Sequence, residues 1–356
     1  MNDDMHRPTE ASLSSLSQDL VAAEASLAEE GWPERMIAIM RRAGCFAMVV
    51  PDVHGGLGAS SQQRLMQYEA VAAGSLTSAL VLTQHDAAGE LLANTTNAGL
   101  ADRILPGCAA GKTLLTVGIS QLTTSRRGGT APALVAIDSG DGFVLEGCMP
   151  WVTSAARADQ VVTGAVLDNG RQILACVPLS AEGITIGQPA RLLALTGSGT
   201  SEVRCTSVRV NTSQIVRGPI HDVLQRRAPV KSLTVTFVGL GVARALLALI
   251  DEYGNNARDC ADAIATARTR MAAVRERAYG FAEQSDHSDA GIHRVALRGE
   301  VNDLVGRLAK TLMVLAKGTG YLAGHRAERL LREAMFLLVW SAPPSVQAET
   351  LNRIWM

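Results

Sequence analysis

The side chains that most often perform acid–base, nucleophilic or metal chemistry are scattered in this sequence. His85, in TQHDAAGELL, falls on a stretch of helical period with no catalytic partner visible. Glu90 and Glu333 also fall on helical stretches, where carboxylates mostly form ion pairs. The six cysteines (Cys45, Cys108, Cys148, Cys176, Cys205, Cys260) contain no CxxC pair and have no histidine close enough to complete a zinc set. Such usage predicts a reduced, cytoplasmic protein without a metal centre. Any chemistry must therefore come from residues that the fold brings together.

Three regions of different hydrophobic period supply that fold. From about Leu13 to Ala110 the apolar residues recur at helical spacing, broken at PDVHGGLG (Pro51 to Gly58), whose glycines permit a tight turn. From Thr113 to about Gly218 short β-rich runs take over: LLTVGIS, ALVAIDSGDGFVLEG, QVVTGAVL, QILACVPL, GITIG and SEVRCTSVRV. Asp141-Gly142 signals a hairpin. From Lys231 onward the period is helical again. This order predicts an α+β protein with an N-terminal helical domain (1–110), a middle β domain (111–218) and a C-terminal helical bundle (219–356).

Composition narrows the partners. Lys and Arg number 33 against 34 Asp and Glu, with no block of like charge, so nucleic acid is not expected. The N-terminal stretch lacks the basic start and apolar core of a secretory signal. No apolar run reaches the roughly 20 residues of a membrane helix.

Four ordered stretches resemble the acyl-CoA dehydrogenase family: GCFAMVVPDVHGGLGAS (Gly44 to Ser60), DGFVLEGCMPWVTSAARAD (Asp141 to Asp159), SEVRCTSVRV (Ser201 to Val210) and KGTGYLAGHRAERLLREA (Lys317 to Ala334). Together they span nearly the whole chain and imply that family's three-domain fold. The second stretch is the most specific.

The resemblance implies FAD and an acyl thioester. In such enzymes a carboxylate takes the α-proton of the thioester while the β-hydrogen leaves as hydride to the flavin. Carried over by position, Trp151, Thr153 and Ser154 would face the isoalloxazine ring. Arg258 and the turn containing Lys317, Gly318 and Gly320 would serve the dinucleotide end, although Asp259-Cys260-Ala261 and Lys317 depart from the family pattern there. Ser125 and Arg126, in the loop TVGISQLTTSR, would meet substrate, with Arg126-Arg127 placed to meet a CoA phosphate or solvent. The usual glutamate base is replaced by Ser341, in Trp340-Ser341-Ala342, followed by Pro343-Pro344. The stretch Lys231 to Gly241, where some members carry the base instead, contains no acid.

Two classes of function follow. One is a flavin-dependent oxidoreductase, either a dehydrogenase with an unusual base or a flavin monooxygenase-type relative. The other is a non-catalytic partner subunit of a heteromeric acyl-CoA dehydrogenase. The apolar faces of SLTVTFVGLGVARALLALI and LVGRLAKTLMVLAKGTG predict a homodimer or homotetramer. The electron-transfer partner is left open.

Overall fold

The computed structural model describes residues 9–24, 31–123, 132–224, 231–255, 257–283 and 290–355. The helical period of the first region is realised in α1 (Glu10–Glu24), α2 (Glu34–Arg42), α3 (Ser61–Gly74), α4 (Leu76–Ala93) and α5 (Ala98–Ala109). The glycine-rich interruption is the turn before α3. Gly55 has φ +77°, and a Cβ on Gly56 would lie 2.1 Å from the Val50 carbonyl oxygen. Ser60 then caps α3 in a reciprocal capping box with Gln63.

Eight strands follow: β1 (Leu115–Gly118), β2 (Leu134–Asp138), β3 (Gly142–Val152), β4 (Gln160–Val166), β5 (Gln172–Pro178), β6 (Ile184–Ile186), β7 (Ser201–Asn211) and β8 (Ile215–Ile220). They form one sheet in the order β6-β7-β3-β2-β4-β5-β8, with β1 also parallel to β4. β4 and β5 read as continuous apolar runs because both of their faces are covered. Val161, Ile173 and Ala175 join the main core, while Val162, Leu174 and Cys176 face a second core built with α4 and α5. β7 alternates buried and exposed residues, as expected with one face in solvent.

Two details differ from expectation. The β2–β3 hairpin turns at Gly140, φ +87°, whose N–H donates to Asp138 Oδ1; Gly142 is already paired opposite Asn211. A Cβ on Gly142 would lie 2.2 Å from the Val210 carbonyl oxygen, so that glycine permits close strand pairing. The second difference is β8, whose sequence, IVRGPI, lacks the alternation that marks a strand on its own.

The last region contains α6 (Lys231–Gly254), α7 (Ala261–Glu283), α8 (Ala290–Ala316), α9 (Arg326–Phe336) and α10 (Pro344–Trp355). Contrary to the expectation of no apolar run of that length, α6 is long and apolar enough to cross a membrane by length and composition, but most of it is buried inside the protein. Its two central glycines explain this burial. A Cβ on Gly241 would lie 2.4 Å from the Glu69 carbonyl oxygen of α3, and one on Gly239 would lie 2.6 Å from Val301 Cγ1 of α8. The several apolar faces of α6 are thus covered within one chain and supply no argument for self-association. Exposed apolar side chains remain on α10 at Leu351, Ile354 and Trp355.

Candidate active site

The site begins where β3 pairs with the start of β7, Val152 opposite Ser201. Beyond Val152 the chain turns at Ser154, φ +59°, a left-handed conformation that costs a non-glycine residue roughly 1–2 kcal/mol. The turn is held by the loop before β7: the Ser154 N–H donates to the Ser198 carbonyl at 2.9 Å. Hydroxyls gather around it. Thr153 Oγ1 lies 3.2 Å from Thr200 Oγ1, Ser198 Oγ lies 2.8 Å from Thr200 Oγ1, and Thr116 Oγ1 donates to the Thr153 carbonyl at 2.7 Å. Ser201 Oγ is buried with no hydrogen-bond partner among the described residues. Beside this array Trp151 is 51% exposed. Indoles gain from burial, so this half-exposed flat apolar face is open to a ligand.

Two neighbours fix the array's position. Asp159 Oδ2 accepts the Leu114 N–H at 2.7 Å, while the Asp159 N–H donates to the Leu114 carbonyl at 2.8 Å, locking the end of the turn to β1. His85 Nδ1 accepts the Leu115 N–H at 3.1 Å, so its Nε2 carries the proton and donates to the Phe46 carbonyl at 3.3 Å. Burial pushes this imidazole's pKa down to about 4. His85 is thereby a structural pin between α4 and β1. Glu90 pairs with Arg64 at 3.1 Å.

The other residues expected at the site lie elsewhere on the frame. Arg258 is exposed at the α6–α7 corner. Lys317 and Gly318 are exposed at the α8–α9 corner, with Lys317 at φ +53°, the backbone conformation glycine adopts without strain. Gly320 is a packing residue, since a Cβ there would lie 2.5 Å from Ala316 Cβ. The two corners occupy the same end of the bundle, where Tyr253 Oη lies 3.3 Å from His325 Nε2. Ser125 and Arg126 lie outside the described residues.

Ser341 ends the turn after α9, exposed and at φ +46°. The turn is clamped from α8 by Arg298, whose Nη2 donates to the carbonyls of Leu337 at 2.6 Å and Trp340 at 3.3 Å. Burial lowers the Arg298 pKa to about 10. Asn302 accepts from Arg298 Nε at 3.0 Å and donates to Thr350 Oγ1 at 3.0 Å, tying the clamp to α10. Among the described residues no hydrogen bond joins Ser341 to the hydroxyl array.

Comparison with known proteins shows what this arrangement resembles. The acyl-CoA dehydrogenase N-terminal domain profile matches residues 6–112. A probable acyl-CoA dehydrogenase, FadE25 of Mycobacterium tuberculosis, is 21% identical over 368 residues, covering 98% of this chain and 94% of that protein. Over nearly its whole length the chain resembles acyl-CoA dehydrogenases and has their fold. The same fold is found in a glutaryl-coenzyme A dehydrogenase in complex with glutaryl-CoA (TM-score 0.79, 21% identity, 99% of this chain and 97% of that one). It also occurs in the dibenzothiophene monooxygenase TdsC of Paenibacillus sp. A11-2, solved with FMN and indole (TM-score 0.83, 15% identity, 97% and 96%).

Within this acyl-CoA dehydrogenase fold, Ser198, Thr200, Ser201 and Thr116 are the residues that sequence reasoning missed. Their signal is the Thr196-Gly197-Ser198-Gly199-Thr200 run before β7, a small, hydroxyl-rich stretch that reads as an ordinary loop until Ser154 is placed against it. The array suits the polar edge of a flavin, and Trp151 suits its flat face. Ser201 Oγ, buried with no hydrogen-bond partner among the described residues, has a donor to spare for a polar ligand.

Proposed function

We propose that this protein is an FAD-dependent oxidoreductase whose substrate is an acyl thioester. The observation that carries this reading is the joining of Thr153, Ser154, Ser198 and Thr200 into one hydroxyl array beside the half-exposed Trp151. Bound FAD would supply a two-electron acceptor. Thr153, Ser154 and Ser201 would orient its ring, and Trp151 would cover one side of it. Arg258 and Lys317 would meet the phosphates through charge. A homodimer or homotetramer would rest on the exposed Leu351, Ile354 and Trp355 of α10 instead of on α6. Ser125 and Arg126 are proposed substrate contacts. Ser341 stands where the family's base would be and, being a neutral hydroxyl, cannot hold the α-proton, so dehydrogenation of simple acyl-CoA should be very slow.

That same serine favours a second reading, flavin-dependent monooxygenation, which needs no carboxylate at this position. The likeness to a monooxygenase fold supports it. The test is the visible spectrum of the purified protein after incubation with FAD or FMN, followed by anaerobic addition of a straight-chain acyl-CoA. Yellow protein that bleaches slowly supports the first reading. Yellow protein that ignores acyl-CoA, but oxygenates an added aromatic with reduced flavin and O2, supports the second. Colourless protein that binds neither flavin overturns both and favours a non-catalytic partner subunit.

A further inference from the structure

Two buried carboxyl groups meet on the far side of the loop that carries Ser198. Glu24 ends α1 and Glu333 lies on α9, 9% and 4% exposed. One guanidinium stands between them. Arg329 Nη2 donates to Glu24 Oε2 at 2.8 Å, whereas Arg329 Nε is 3.8 Å from Glu333 Oε1, too far for a hydrogen bond. That Nε is buried with no hydrogen-bond partner among the described residues. Together with Thr77, Ala194 and Leu195 these side chains line a cavity of about 20 Å³.

The surrounding charges do not rescue a second anion. On α9, Arg332 and Arg326 favour ionisation of Glu333 and Glu24, but each is paired with another carboxylate, Glu328 and Glu252, and Glu328 opposes a charge on Glu333. Among the described residues, the α4 start contributes the hydroxyls of Ser75 and Thr77, and the loop contributes Ala194 and Leu195, neither titratable. With both carboxyls ionised, one partly buried cation would face two buried anions, an arrangement that desolvation and like-charge repulsion disfavour. Burial, then the neighbouring Glu24, raises the Glu333 pKa to about 8; burial also raises that of Glu24.

The cluster is wired to the hydroxyl array. Arg332, adjacent to Glu333, donates to the Leu193 carbonyl. Leu195, on the cavity wall, is held at φ +66°, and three residues on Ser198 accepts from Ser154.

We propose that Glu24 and Glu333 share one proton and form a pH-responsive support for residues 193–199, such that opening the α1–α9 seam releases the proton and frees the loop carrying Ser198. Its consequence for flavin affinity rests on the proposed function; the opening itself does not. The sign follows from the raised pKa of the closed form: local stability is greatest at acid pH, declines as pH rises from 4.5 toward about 8, and levels off above that.

Hydrogen–deuterium exchange of residues 193–200, corrected for the intrinsic effect of pH, tests this on the whole protein. One linked proton predicts protection falling about tenfold per pH unit between about pH 6 and pH 8. Glu333→Gln, neutral at every pH, should abolish that slope. Glu24→Gln, which leaves Arg329 to a still-buried Glu333, should move the end of the sloping window to lower pH and serves if the first variant does not fold. Flat protection in the wild type, a slope that survives in Glu333→Gln, or a window unmoved in Glu24→Gln overturns the proposal. FAD titration of the same samples separates the two ideas: a slope without flavin binding sinks the proposed function only, and flavin binding without a slope sinks this inference only.

Discussion

Ser154 and Ser198 are joined backbone to backbone, the Ser154 N–H donating to the Ser198 carbonyl at 2.9 Å, although 44 residues separate them in the chain. This bond closes the turn after β3 onto the loop before β7. It converts two unremarkable hydroxyl-bearing segments into one array whose geometry depends on both.

Thr200 is the centre of that array, since its Oγ1 meets both Ser198 Oγ and Thr153 Oγ1. Thr200→Val keeps the shape and removes the hydroxyl. It should cost roughly 1–3 kcal/mol of stability, because two buried hydroxyls lose their partner, and should weaken FAD binding beyond what the lost stability explains. Denaturant unfolding and a flavin titration, run side by side, check both parts.

On the proposed reading, Ser341→Glu would supply a base at the exposed position 341. Covered by bound flavin and thioester, the new carboxyl would be desolvated and raised above its ordinary value of about 4.3. Acyl-CoA dehydrogenation should rise roughly 100-fold to 10,000-fold over wild type. A wild-type protein that already turns over acyl-CoA rapidly would show that another acid serves, and an inert variant that binds both FAD and acyl-CoA would point away from this chemistry.

His85→Gln supplies one donor and one acceptor and can keep both bonds of the pin. The His85 pKa is depressed, from 6.5 to about 4, so the native state resists protonation and its stability falls as pH drops through that window. Unfolding free energies of wild type and variant should therefore diverge in the variant's favour from pH 6.5 down to about 4, by up to roughly 3 kcal/mol. Parallel curves would mean that the ring is more hydrated than its burial implies.

Glu69 holds α3 to α6 and α7. Its Oε1 accepts from Arg275 Nε at 2.7 Å and from Arg244 Nη1 at 3.5 Å, and its Oε2 accepts from Tyr279 Oη at 2.6 Å. Glu69→Gln removes the charge that both arginines face. A loss of roughly 1.5–3 kcal/mol is expected, read as a lower thermal midpoint, and the loss should shrink when Arg275 is also replaced by Met.

The order of helical, strand-rich and helical regions was legible in the sequence, as were the turn at Gly55 and Gly56 and the Trp151-Thr153-Ser154 segment. Each depends on residues close together in the chain, where periods of 3.6 and 2 and the freedom of glycine act directly. The absence of a carboxylate at position 341 was equally plain. Only the tertiary structure decided the rest. β8 is a strand because β5 offers an edge to pair with, not because IVRGPI favours one. The apolar faces of α6 are spent inside one chain because Gly239 and Gly241 admit α8 and α3. Ser198 and Thr200 join Ser154, and Glu24 meets Glu333, across separations that no local pattern records, because hydrogen bonding and desolvation act on distance in space.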